Sequence, residues 1–104
     1  MDKEIINNLK TLSLDMINRA GSGHSGIVMS ATPLIYTIYA KHMNLNPRDP
    51  NWLNRDRFVL SAGHGSALLY ATLHMAGMDI TMEDLQNFRR YGYKTPGHPE
   101  VGVT

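Results

Sequence analysis

Three of the five histidines in this 104-residue sequence stand in glycine-rich company: His24 in "AGSGHSG", His64 in "AGHGS" and His98 in "PGHPE". Glycine costs backbone order wherever it is placed, and a histidine framed by it has no evident packing duty. Imidazole donates a hydrogen bond whether neutral or charged and titrates near neutral pH. Such a residue therefore suits proton transfer or the recognition of a phosphate.

The segment "VLSAGHGS" combines an apolar run, a glycine turn and the opening of a helix. A strand, turn and helix N-terminus in that order gather free backbone N–H groups at one point, where the helix dipole favours an anion. Gly63 and Gly65 would let a ligand approach the backbone, with Ser66 opening the helix and His64 as a further donor. The plain alternative is a glycine turn that carries an exposed histidine, and this motif alone does not separate the two. His24, on a loop between two helical stretches, is by itself indistinguishable from an incidental loop histidine. Pro96 and Pro99 bracket Gly97 and His98, restricting a backbone that must aim a side chain, or else making a rigid surface turn.

Other chemistry finds less support. His42 and His74 lie inside helical patterns among apolar residues and read as helix-packing or partner-facing residues, not as ligands. No H-x-x-x-H pair and no cysteine occurs, so spacing offers nothing for zinc. "AGHGSA" is not a G-x-S-x-G nucleophile elbow.

The elements that must position these residues follow from periodicity. Ile5, Leu9, Leu12 and Met16 recur at helical spacing, which predicts a helix over 3–20, with Gly21 as its stop. Leu14 lies off the stripe, so more than one side of this helix should be covered. A second helix is expected over about 31–43, capped by Ser30 or Thr32, with Pro33 in its first turn and Leu34, Ile35, Ile38, Tyr39 and Met43 facing inward. "NLNPRDPNWLNRDR" reads as a surface loop anchored by Trp52. "RFVLS", 57–61, reads as a buried parallel strand. A helix from Ser66 to about Ala76 is apolar nearly all round and should be deeply buried, with Gly77 ending it. A short helix capped by Thr81 with Asp84 in a capping-box place should turn Leu85 and Phe88 inward. The remainder, to Thr104, reads as loop.

Charge and composition set limits. Ten Lys and Arg residues against nine Asp and Glu residues leave a formal net charge of +1, with the two signs interspersed. Neither a nucleic-acid footprint nor a membrane-surface stripe is expected from that balance. No signal peptide or spanning segment is legible, so a cytoplasmic location is the expectation. One strand cannot satisfy its own backbone groups, which suggests a piece of a larger α/β domain.

Taken together, "SGHSG", "NPRDPNWLNRDRFVLSAGHGSALLYATLHMAG" and "LQNFRRYGYKTPGHPE" resemble the N-terminal part of the transketolase family. The likeness runs from about Leu9 to Thr104, and the combination is specific where each motif is not. It implies that residues 1–104 are an N-terminal, mostly helical and incomplete piece of the α/β thiamine-diphosphate-binding fold, a parallel sheet flanked by helices. It implies two-carbon ketol transfer from a ketose phosphate to an aldose phosphate in the pentose phosphate pathway, with the cofactor supplying the carbanion chemistry. Sugar phosphates and a second copy in a homodimer are the implied partners.

Carried over residue by residue, the resemblance gives His64, with Gly63, Gly65 and Ser66, the cofactor's diphosphate. His24 would contact donor hydroxyls and assist proton transfer, His98 would hold the C1 hydroxyl, and Arg89 would lie near the substrate channel. Mg or Ca would be held by ligands outside this chain, as would the carboxylate that activates the cofactor, so the chain by itself is expected to be inactive. Ser25 departs from the proline that the family's motif carries, which loosens the loop at His24. Two alternatives share these motifs: a related enzyme (dihydroxyacetone synthase or the N-terminal subunit of a split transketolase), and a non-catalytic truncated helical interaction module.

Overall fold

The computed structural model describes residues 2–100, so Val101 to Thr104 of the expected terminal loop lie outside the described residues. Helix α1 spans Asp2–Ala20, α2 Ser25–Thr37, α3 Ser66–Met75 and α4 Met82–Gln86. A π-helical turn, Ile38–His42, extends α2, and a 3-10 turn, Gly63–Gly65, leads into α3.

Helix α3 is the centre of the molecule. Every residue from Ser66 to Thr72 is buried, as an all-round apolar surface requires. One side joins Ala67, Tyr70 and Ala71 to Leu9 and Met16 of α1, Tyr36 of α2, and Ile80, Leu85 and Phe88. The other joins Leu68 and Leu69 to Val28 and Ile35 of α2, with Leu14, Phe58 and Leu60 packed against them. Leu14 thus covers the second face of α1 that its position off the stripe suggested. Ser13 and Thr72 donate to carbonyls one turn back, at 2.7 and 2.8 Å, and Thr32 does the same to Val28, so three buried hydroxyls are satisfied within their own helices.

Helix ends follow local chemistry. Gly21, at φ +75°, closes α1 by donating to the Ile17 carbonyl at 3.0 Å. Gly77, at φ +87°, follows α3 in the same left-handed conformation. The Thr81–Asp84 capping box forms in both directions, with Asp84 N–H to Thr81 Oγ1 at 3.1 Å and Thr81 N–H to Asp84 Oδ2 at 3.0 Å.

Several expectations are corrected. The second helix begins at Ser25, not near 31, so Pro33 lies in its interior rather than its first turn. Pro33 withholds one backbone donor, a cost of about 3 kcal/mol in a helix interior, and burial of Val28, Ile35 and Tyr36 on the same helix offsets it. With the helix rotated accordingly, Leu34 faces outward at 64% exposure. Of the two helical histidines, His42 is exposed on the π turn, which buries none of its residues, and His74 packs, its Nδ1 2.8 Å from the Ile80 carbonyl.

The run 57–61 is not a strand, and no strand occurs among the described residues. No second extended segment lies beside it to accept or donate backbone hydrogen bonds, so no ladder forms. Phe58 and Leu60 turn inward while Val59 stands 83% exposed. Trp52, 37% exposed, does not anchor its loop. That loop is closed instead by a reciprocal pair, Asn44 N–H to Asp56 Oδ2 at 2.6 Å and Asp56 N–H to the Asn44 carbonyl at 2.8 Å.

Candidate functional site

Two helix N-termini meet at one end of the molecule, and each carries a glycine-framed histidine. His24 is the N-cap of α2, in extended conformation (φ −110°, ψ 103°), and its side chain takes no part in capping. The imidazole is therefore left for other work. His64 is the middle residue of the 3-10 turn that opens α3. The two rings pack edge to face with centroids 5.2 Å apart. Both are exposed, so their polar atoms reach solvent.

The glycines allow this approach. At Gly65 a Cβ would come within 3.0 Å of Ile27 Cδ1, so the turn before α3 packs directly on the first turn of α2. Gly65 is buried, and its N–H donates to the Ala62 carbonyl at 2.8 Å. At Gly23, φ is +144° and a Cβ would stand 2.8 Å from Ile17 Cγ1, so any side chain there would push His24's loop off α1.

His98 joins the same group from the far end of the sequence. Its Cδ2 lies 3.0 Å from where a Gly63 Cβ would be, so the His98 ring covers the backbone next to His64. The loop that brings it there is held in place by α3. The Ser66 hydroxyl donates to the Gly97 carbonyl and the Tyr70 hydroxyl to the Pro96 carbonyl, both at 2.6 Å. Upstream, buried Thr95 donates its hydroxyl to the Asp84 carbonyl at 2.7 Å.

Arg89 completes the rim. It takes a left-handed conformation, φ +65°, which is uncommon for a residue with a side chain. Its N–H donates to the Thr95 carbonyl at 2.9 Å, which closes the turn. The guanidinium lies against Gly97, with Nε 3.5 Å from the position of an added Cβ. The rim thus collects three imidazoles and one guanidinium from four separate segments, a donor set suited to an anion bearing hydroxyl or phosphate oxygens. Among the described residues no group of three His, Asp or Glu side chains is arranged to hold a metal ion.

Each residue singled out in the sequence is thus located. His24, His64, His98 and Gly63 converge directly, and Arg89 reaches the same loop through Gly97. Ser66 is wholly buried, and its hydroxyl holds the His98 loop. Tyr70 and Thr95 were not singled out, although a tyrosine four residues after Ser66 on an apolar helix is a legible signal of a tether.

The whole chain, residues 1–104, matches the family model described as transketolase, thiamine diphosphate binding domain. It is 56% identical over 104 residues to a transketolase of Bacillus subtilis, spanning all of this chain and 16% of that protein. It is 60% identical over 99 residues to one from Geobacillus stearothermophilus, spanning 95% of this chain and 15% of that protein. Among solved structures, a transketolase from Leishmania mexicana superposes with a TM-score of 0.96 at 45% identity, covering 100% of this chain and 16% of that one. A Pichia stipitis transketolase in complex with sedoheptulose 7-phosphate superposes with a TM-score of 0.91 at 47% identity, covering 95% of this chain and 14% of that one. The chain therefore spans about one-sixth of the length of these relatives.

Proposed function

This chain belongs to the transketolase family through its thiamine diphosphate binding domain, and from that membership we propose that it forms the N-terminal part of a two-carbon ketol transferase acting on sugar phosphates. The observation that carries the reading is the convergence of His24, His64 and His98 on one exposed rim.

The residues fit the cofactor. His64, with the backbone of Gly63 at the N-terminus of α3, would hold the diphosphate, because donors and a helix dipole there oppose its negative charge; the Gly65 N–H, expected to join them, is spent on the Ala62 carbonyl. Thiamine diphosphate, when bound, supplies the carbanion chemistry that breaks and remakes a carbon–carbon bond. His24 would hydrogen-bond the donor's hydroxyls and move a proton at its ring nitrogen, since it sits against His64 with neither nitrogen committed to capping. His98 would hold the C1 hydroxyl, and Arg89 would attract the charged substrate along the rim. The divalent ion, Mg or Ca, draws its ligands from outside the described residues in this reading.

The same reading extends to the complete natural polypeptide that carries this sequence. There the 57–61 run would lie against a parallel sheet, which accounts for an apolar Val59 at 83% exposure. A homodimer, sugar-phosphate substrates, a cytoplasmic location and a place in the pentose phosphate pathway belong to this proposal. The sugar-phosphate complex of the Pichia stipitis relative supports the substrate class.

The test is two-carbon transfer from xylulose 5-phosphate to an aldose phosphate by that complete polypeptide, supplied with thiamine diphosphate and magnesium. Transfer is expected, with His24→Ala lowering kcat by about 10²- to 10⁴-fold as loss of a positioned proton donor does. Absence of transfer, or an unaltered kcat in the variant, would overturn the assignment.

A further inference from the structure

Helix α3 carries two hydroxyls on one face, Ser66 and Tyr70, four residues apart and both wholly buried. They donate to consecutive carbonyls, those of Gly97 and Pro96, each at 2.6 Å. The Tyr70 ring already meets Phe88 edge to face at 6.0 Å, which a phenylalanine would equally do. Alanine at position 66 would suit a helix at least as well as serine. A buried hydroxyl costs free energy unless it is bonded, and here both bonds go to the two residues just before His98.

We infer that Tyr70 and Ser66 are positioning residues that fix the His98 imidazole over Gly63. Because α3 also begins at the Gly63–His64–Gly65 turn, one rigid helix sets the distance between His64 and His98. Pro96 and Pro99 limit the loop's backbone, and the two bonds choose its place. Thr95 and Arg89 secure the upstream end, through the Asp84 carbonyl and the Thr95 carbonyl respectively. A register shift of the loop would break both α3 bonds at once and lift His98 from Gly63.

The inference rests on the reading that His98 contacts the substrate, and its test separates the two. In the complete natural polypeptide, Tyr70→Phe and Ser66→Ala are each combined with His98→Ala in a double-mutant cycle on ketol transfer, with thiamine diphosphate affinity measured alongside. Either single variant is expected to lower kcat/KM for the donor about tenfold with cofactor affinity within twofold, and to have no further effect when His98 is already alanine. Equal losses in both backgrounds would mean a general structural role and overturn the inference. Should His98→Ala itself leave transfer unchanged, the substrate role of His98 fails, and the crystal structure of Tyr70→Phe decides the positioning claim. A His98 ring displaced from Gly63 there supports it, and a ring still seated on Gly63 overturns it. Ser66→Ala carries the same cycle if Tyr70→Phe does not fold.

Discussion

The rings of His24 and His64 stand edge to face with centroids 5.2 Å apart, although a whole helix, its π-helical extension and a long loop separate them in the chain. Each residue lies at the N-terminal end of a helix, α2 and α3 respectively. Two helix dipoles therefore present their positive ends to the same region, and an anion placed there gains from both. Glycines at 23 and 65 make the approach possible, because side chains there would collide with Ile17 and Ile27.

The contact between His98 and Gly63 gives the most direct handle on the third imidazole. A Cβ at position 63 would fall 3.0 Å from His98 Cδ2, so Gly63→Ala must move the ring. His98 is exposed and can shift without disturbing the core. Turnover by the complete polypeptide should therefore fall about tenfold while the unfolding free energy from urea denaturation changes by under about 0.5 kcal/mol, the range of surface substitutions. Unchanged turnover would show that the ring's position over Gly63 does not matter to catalysis.

Ser25 occupies the first helical position of α2, directly after the His24 N-cap. Proline is well suited to that position, since the N–H it lacks has no partner within the helix. The residue before a proline must be extended, and His24 already is, at φ −110° and ψ 103°. Ser25→Pro should stabilise the fold by about 0.4–1 kcal/mol through the unfolded chain, measured by urea denaturation, with His24 chemistry retained. Destabilisation would mean that α2 does not start where it is placed.

Two carboxylates contribute to the acid limb of stability. Asp2 accepts from the Tyr36 hydroxyl at 2.7 Å and from Lys41 Nζ at 3.1 Å, and these hold its carboxyl below the ordinary value of 3.8. For Asp84, burial alone pushes the carboxyl up, but the Thr81 amide and hydroxyl and the Lys94 amide outweigh it, and the net direction is down. A carboxylate whose folded value lies below its unfolded one contributes stability above the unfolded value. That contribution is lost as pH falls from about 4 through the lower folded value. Unfolding free energy should thus decline below about pH 4, and Asp84→Asn should flatten that decline. An identical acid limb in the variant would remove Asp84 from the account.

What the sequence made legible was local. The limits of α1 and α3, the glycine stops at 21 and 77 and the Thr81–Asp84 box are all written in neighbouring residues. The start of α2 was not, because Pro33 resembles a first-turn proline and Ser25–Gly26 resembles loop, and tertiary burial of Val28 decides between them. The 57–61 run failed for a different reason: an apolar pattern shows that a segment is suited to a sheet, not that a partner lies beside it. At the candidate site the three histidines could be named from their glycines, but their meeting depends on close backbone approach. The bond from the Ser66 hydroxyl to the Gly97 carbonyl was not legible, since a partner 31 residues away leaves no mark in the local sequence.

The central claim is that His64, at the N-terminus of α3, holds the diphosphate of the cofactor within reach of His24 and His98. It is tested by calorimetric titration of the complete polypeptide with thiamine diphosphate and magnesium, comparing the native protein with His64→Ala. Loss of one hydrogen bond to a charged group is worth about 1.5–3 kcal/mol, so the variant should bind about 10- to 100-fold more weakly. Equal affinity in the two proteins would contradict the claim.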